Sequence, residues 1–126
     1  MRAVATLGVS LLATFALAAS PAGGQEIPDP AAQARIVESY AKLLEHEDAR
    51  VRLRAVEMLA GLAPAARGVR AKIRVATSDP DAQVRAGAYQ TLGSLGRKQE
   101  DLVRLAEGLG DSDLYVRGAA AGALAV

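Results

Sequence analysis

Few side chains in this 126-residue chain are of the kinds that carry out reactions. His46 is its single histidine, and Glu47 follows it. A metal centre needs several His, Cys or carboxylate ligands converging on one point. With no second histidine and no cysteine, His46-Glu47 reads as a turn and not as a ligand pair. Nucleophilic catalysis lacks its parts too. There is no thiol, no Gly-x-Ser-x-Gly elbow, and no evident serine partner for His46. Gly93-Ser94-Leu95-Gly96 is glycine-rich, but it reads more simply as a helix end and the turn after it. The expectation is a protein without catalysis, metal or cofactor.

Charge is the next resource. Arg67, Arg70 and Arg74 recur at i, i+3 and i+7 on one helix face, with Lys72 beside them. That face is either a patch for an anion or acidic protein, or a solvated outer surface. Glu38 and Glu45 before it, and Glu100, Asp101 and Glu107 after it, favour the solvated surface. The whole chain has 15 basic and 14 acidic side chains, and setting Arg2 aside leaves 14 of each. A neutral chain gives no electrostatic reason to meet nucleic acid. Three tyrosines and no tryptophan make a poor platform for stacking bases.

The elements that position these residues are written as a repeat. Val51-Arg52-x-x-Ala55-x-x-x-Leu59 returns as Val84-Arg85-x-x-Ala88-x-x-x-Leu92, and again as Val116-Arg117-x-x-Ala120-x-x-x-Leu124. The steps are 33 and 32 residues, and Asp48, Asp81 and Asp113 each stand three residues before the valine. A fixed period of this size marks a stacked solenoid, in which each unit buries its apolar face only against its neighbours.

Each repeat divides into two helices. Asp29-Pro30 has the form of a helix start, an N-cap followed by a proline that needs no amide donor. Ile36, Val37, Tyr40, Leu43 and Leu44 follow at helical spacing. His46-Glu47-Asp48 forms the turn, and Val51, Ala55, Met58, Leu59 and Leu62 face inward on the second helix. Repeat two places Val69, Ile73 and Ala76 inward, turns at Ser78-Asp79-Pro80-Asp81, and continues with Val84, Ala88, Tyr89, Leu92 and Leu95. Repeat three uses Leu102, Leu105, Ala106 and Leu109, the turn at 110–113, then Val116, Ala120 and Leu124. The spacing predicts an all-α solenoid of six helices, with repeats at about 31–62, 64–96 and 98–126 after a linker at 25–30.

The pattern Asp-x-Asp-x-x-Val-Arg-x-x-Ala-x-x-x-Leu resembles the HEAT repeat in its short bacterial form, related to phycobilisome-lyase repeats. Asp79, Asp81, Val84, Arg85, Ala88, Leu92 and Gly93 carry the likeness in repeat two. Asp111, Asp113, Val116, Arg117, Ala120 and Leu124 carry it in repeat three. Repeat one departs, with His46 where the others have Asp79 and Asp111. The resemblance implies a ladder in which the first aspartate of one repeat pairs with the arginine of a neighbour, so that Asp79, Arg85, Asp111 and Arg117 take part. It also implies a ladder weakest in repeat one. Helical-repeat oxygenases of the deoxyhypusine hydroxylase kind bind iron through His-Glu pairs directly after the Val-Arg step. The matching positions here are Leu53-Arg54, Ala86-Gly87 and Gly118-Ala119, none of which binds metal.

The second helices offer the better surface. Equivalent positions run Arg50, Gln83, Tyr115; Arg54, Gly87, Ala119; and Glu57, Gln90, Gly122. Tyrosine and arginine are frequent binding anchors. Arg50, Arg54, Glu57, Gln83, Gln90 and Tyr115 are therefore the candidate face for a protein or peptide partner.

The two ends bear on location and assembly. Arg2, the uncharged run at 3–19 and the small residues after it have the form of a secretory signal peptide at 1–24, cut between 18 and 24. The alternative is a retained membrane anchor, for which the run is short and rich in alanine. Export without cysteine suits a bacterial periplasm. The segment 119–126 is apolar and lacks a polar cap. Solenoid ends normally carry one. This implies self-association, a covering partner, or a longer repeat protein. The expected function is an exported protein-interaction scaffold. Its alternatives are a non-catalytic subunit of an enzyme or lyase complex, or a membrane-tethered adaptor.

Overall fold

The computed structural model describes residues 28–96 and 98–126. The region expected to be a signal peptide lies outside them. Among the described residues six α-helices follow in order: α1 (Pro30–Leu43), α2 (Ala49–Gly61), α3 (Arg70–Ala76), α4 (Ala82–Ser94), α5 (Gln99–Gly108) and α6 (Leu114–Ala125). A 3-10 segment, Ala65–Val69, leads into α3. No strand occurs among the described residues.

The starts of α1, α2, α4 and α6 are set by aspartates. Asp29 accepts a hydrogen bond from the Ala32 amide at 2.7 Å, with Pro30 at the first position of α1. Asp48 accepts from the Arg50 amide, Asp81 from those of Gln83 and Val84, and Asp113 from those of Tyr115 and Val116. Each carboxylate satisfies amides that have no partner inside the helix. The acid that recurs before every valine is therefore a helix cap.

The helices pack as three hairpins in phase. The second helices α2, α4 and α6 lie side by side, and α1, α3 and α5 each pack on the second helix of the same repeat. Ala55, Ala88 and Ala120 are fully buried, which lets neighbouring helices approach closely. Leu59, Ile73, Leu92, Leu95, Leu105, Val84 and Val116 fill the spaces between them. Gly108 allows one such close approach: a Cβ there would stand 2.6 Å from Ala120 Cβ and 2.7 Å from Tyr89 Cζ. Gly96 adopts a φ of 87° in the turn after α4, a conformation glycine takes without strain.

Four positions expected inside are exposed: Ile36, Leu43, Ala106 and Leu109. On α1 the buried stripe is Val37, Ala41 and Leu44. That helix packs chiefly on α2 and the 3-10 segment, a contact narrower than its apolar arc.

The arginine stripe also differs from the solvated surface expected of it. Arg70 is 4% exposed and Asp101 is 1% exposed, and the two form an ion pair. Arg70 also donates to the Leu95 and Gly96 carbonyls, each at 3.0 Å, and Arg67 donates to Leu95 at 3.3 Å. Arg74 Nε lies 2.9 Å from Asp101 Oδ1, near enough for an ion pair but off hydrogen-bond alignment. The physical reason is the end of α4, whose last carbonyls find no N–H donors within the helix and must accept from elsewhere. The rest of the stripe is more open: Arg67 and Lys72 are exposed, Lys72 meets Glu38, and Arg74 meets Glu100.

Candidate functional site

The turns between paired helices hold the repeat interfaces together. Arg52 donates from Nε and Nη2 to the two oxygens of Asp79, at 2.8 and 3.0 Å. Arg85 does the same to Asp111, both at 3.0 Å. Each arginine uses Nη1 on carbonyls of its own turn: His46 and Glu47 for Arg52, Asp79 and Pro80 for Arg85. A guanidinium matched to a carboxylate by two parallel bonds is a strong and directional contact. The Arg85 pairing holds the Asp111 carboxyl below the ordinary carboxylate range, the Asp113 amide adds to this, and partial burial opposes it.

Asp79 thus pairs with Arg52, a residue the family pattern had not singled out for the ladder. Spacing alone could have found it, because Arg52 and Arg85 hold the same place in the motif. Arg117 reaches the carbonyls of Asp111 and Ser112 at 2.8 and 3.3 Å, and no carboxylate among the described residues. His46 supplies part of what aspartate supplies elsewhere. Its Nδ1 accepts the Asp48 amide at 3.0 Å, as Asp79 and Asp111 accept those of Asp81 and Asp113.

The face formed by the second helices holds two neighbouring hollows. One, of about 260 Å³, is lined by Leu53, Glu57, Gln83, Gly87, Gln90 and Tyr115. The other, a mostly apolar groove of about 1000 Å³ between α4 and α6, is lined by Gln90, Gly93, Ser94, Asp113, Leu114, Tyr115, Gly118, Ala119, Gly122, Ala123 and Val126. Gln90 and Tyr115 border both. Of the six candidate partner-binding residues, the structure gathers Glu57, Gln83, Gln90 and Tyr115. It does not bring in Arg50, which folds back on Asp48 at 3.1 Å, or Arg54, which pairs with Glu57 at 3.5 Å. Ser94, Leu114, Gly118 and Gly122 also line the groove and were not candidates. Small residues carry no binding signal of their own; they matter by leaving room.

Among the described residues no three His, Cys, Asp or Glu side chains converge as a metal site would need. No described helix is long and apolar enough to cross a membrane.

Stacked hairpins with a continuous face of second helices define an α-solenoid of the kind that presents a surface. The HEAT-repeat family model matches residues 37–125, and the chain belongs to that family. HEAT repeats are generally non-catalytic scaffolds for protein interaction. No curated protein matches the sequence.

Proposed function

We propose that this is an exported, non-catalytic scaffold whose α4–α6 face receives a segment of another protein. The observation that carries this reading is the apolar groove of about 1000 Å³ with Tyr115 and Gln90 on its border. Tyr115 is 61% exposed, so a large amphipathic ring stands ready beside an apolar trough. Gln83 and Gln90 offer donors and acceptors to a peptide backbone at the edge. A ligand with one apolar side chain for the trough and free backbone amides for the rim fits this chemistry.

A photoreactive side chain placed at Gln90, with another at Lys42 on the opposite side of the solenoid as control, tests the reading in the native envelope. Capture at Gln90 that is lost in Tyr115→Ala supports it. Equal capture at both sites, or capture indifferent to Tyr115→Ala, would dismiss the groove. The export half is separate. It rests on the charged start and apolar run at 1–24. Mass spectrometry of the native N-terminus finding residue 1 in place would overturn cleavage, and recovery of the protein from the cytoplasmic fraction would overturn export.

A further inference from the structure

The lining of the two hollows carries charge of one sign. Glu57 is the charged side chain of the smaller hollow and Asp113 that of the groove, and no basic side chain lines either. The arginines of the second helices are turned elsewhere. Arg50 lies on Asp48, and Arg117 donates to the carbonyls of Asp111 and Ser112. Arg54 stands 3.5 Å from Glu57, but the two side chains are 72% and 53% exposed, so water and salt compete strongly for that contact. The smaller hollow opens between α2 and α4, with Tyr115 of α6 at its edge. Gly87 leaves room on its floor, where α2 and α6 carry Arg54 and Ala119. At about 260 Å³ it is smaller than sites for whole small molecules, roughly 300–1,000 Å³, and it fits one long side chain.

We propose that this hollow takes a lysine or arginine side chain from the same partner segment whose apolar residue fills the α4–α6 groove. The inference rests on the groove reading and adds the partner's chemistry, a basic residue beside an apolar one. Leu53 and the Tyr115 ring receive the aliphatic stem, and the ring face also attracts a cation. Glu57 meets the charged head, and the carboxamide oxygens of Gln83 and Gln90 accept from its other N–H groups. An acidic side chain would face Glu57 with no cation in the lining to offset the repulsion. An apolar one would gain nothing from Glu57, Gln83 or Gln90. Two copies joined through this face would set a surface lined by acids against itself. Residues 1–27 hold one basic side chain, Arg2, inside the stretch that the export reading removes. The segment therefore crosses the second helices in a fixed sense, with its basic residue over α2 and α4 and its apolar residue between α4 and α6.

The test uses the full chain in its native cell. A photoreactive side chain is placed at Gln83, which of the two hollows lines only the smaller, and in a parallel experiment at Ser94, which lines only the groove. The expected result is one partner captured at both positions, with the Gln83 adduct mapped by mass spectrometry to a segment that holds a lysine or arginine. Glu57→Gln should lower the Gln83 yield about threefold or more, and Arg54→Ala, which frees Glu57 of its neighbour, should raise it. Changing the partner's basic residue to glutamate should lower the yield, and Glu57→Lys in this chain should recover it. Glu57 and Arg54 are both exposed, so these variants leave the core intact, which circular dichroism checks. An adduct to a segment without a basic residue, to a second copy or within the same polypeptide overturns the proposal. So does a Gln83 yield indifferent to Glu57, or one that falls in Arg54→Ala, the sign of an acidic ligand. Capture at Ser94 that needs Tyr115, with none at Gln83, sinks this inference and leaves the groove reading standing. No capture at either position removes both.

Discussion

Arg85 sets its Nε and Nη2 against the two oxygens of Asp111, both at 3.0 Å, and so ties repeat two to repeat three. The side chains are 17% and 14% exposed, so water competes only weakly for either partner. A charge-assisted bidentate contact of this kind should show coupling of roughly 1.5–3 kcal/mol. A double-mutant cycle with Arg85→Ala and Asp111→Ala, read by urea denaturation, measures it. Additive single-site losses would mean that the repeats are held by apolar burial alone.

The same pair makes part of the stability sensitive to acid. Asp111 has its carboxyl pKa lowered in the folded protein, first by the Arg85 hydrogen bonds. Its contribution is therefore complete above the ordinary aspartate value of about 3.9, and it is lost as pH falls through the lower folded value. The stability gap between wild type and Asp111→Asn should be widest at neutral pH and should narrow below the usual aspartate range. Denaturant midpoints measured from pH 7 down to pH 2 check the sign; a constant gap counts against it.

Asp101 is the most deeply placed charge, at 1% exposure between Arg70 and Arg74. Removing one member of a buried pair leaves the other without compensation, which costs about 3–5 kcal/mol. Asp101→Ala should lose that much, and it should also loosen the end of α4, because Arg70 holds the Leu95 and Gly96 carbonyls. Hydrogen exchange at the end of α4 should rise in the variant. A loss below a kilocalorie would show Asp101 to be dispensable.

How far the sequence could be read follows from range. The hairpins and their stacking are legible because caps, apolar spacing and the 33- and 32-residue steps are local signals that repeat in phase. The buried state of Arg70 is not legible. Its partner Asp101 lies 31 residues away, and its other acceptors are backbone carbonyls, which carry no residue-type signal. Arg50 and Arg54 lie outside the two hollows for a related reason. Residue type names a binding anchor, but it does not show the local contacts that Arg50 makes with Asp48 and Arg54 with Glu57. Tyr115 and Gln90 border the groove through geometry that α4 and α6 share.

Gly108 is a place where volume, and not conformation, decides. An added Cβ would meet Ala120 and the Tyr89 ring, both well inside van der Waals contact. Overpacking usually costs about 1–3 kcal/mol. Gly108→Ala should lie in that range despite the better helix propensity of alanine. Gly118→Ala, where nothing lies within 4 Å of the added carbon, should be neutral or slightly stabilising. Thermal melts of the two variants give the comparison, and equal effects would mean that the α5–α6 contact is looser than described.

Leucines in matched repeats separate burial from mere hydrophobicity. Leu92 is 1% exposed on the central second helix, with packed neighbours on both sides, whereas Leu109 is 44% exposed at the end of α5. Leu92→Ala removes buried methyl groups and opens a cavity, so it should cost roughly 2–5 kcal/mol. Leu109→Ala removes surface that water already reaches, and in the isolated protein it should fall within about 0.5 kcal/mol of wild type. Urea titrations of both variants settle the contrast. Equal losses at 92 and 109 would mean that repeat three already has a neighbour over its open face.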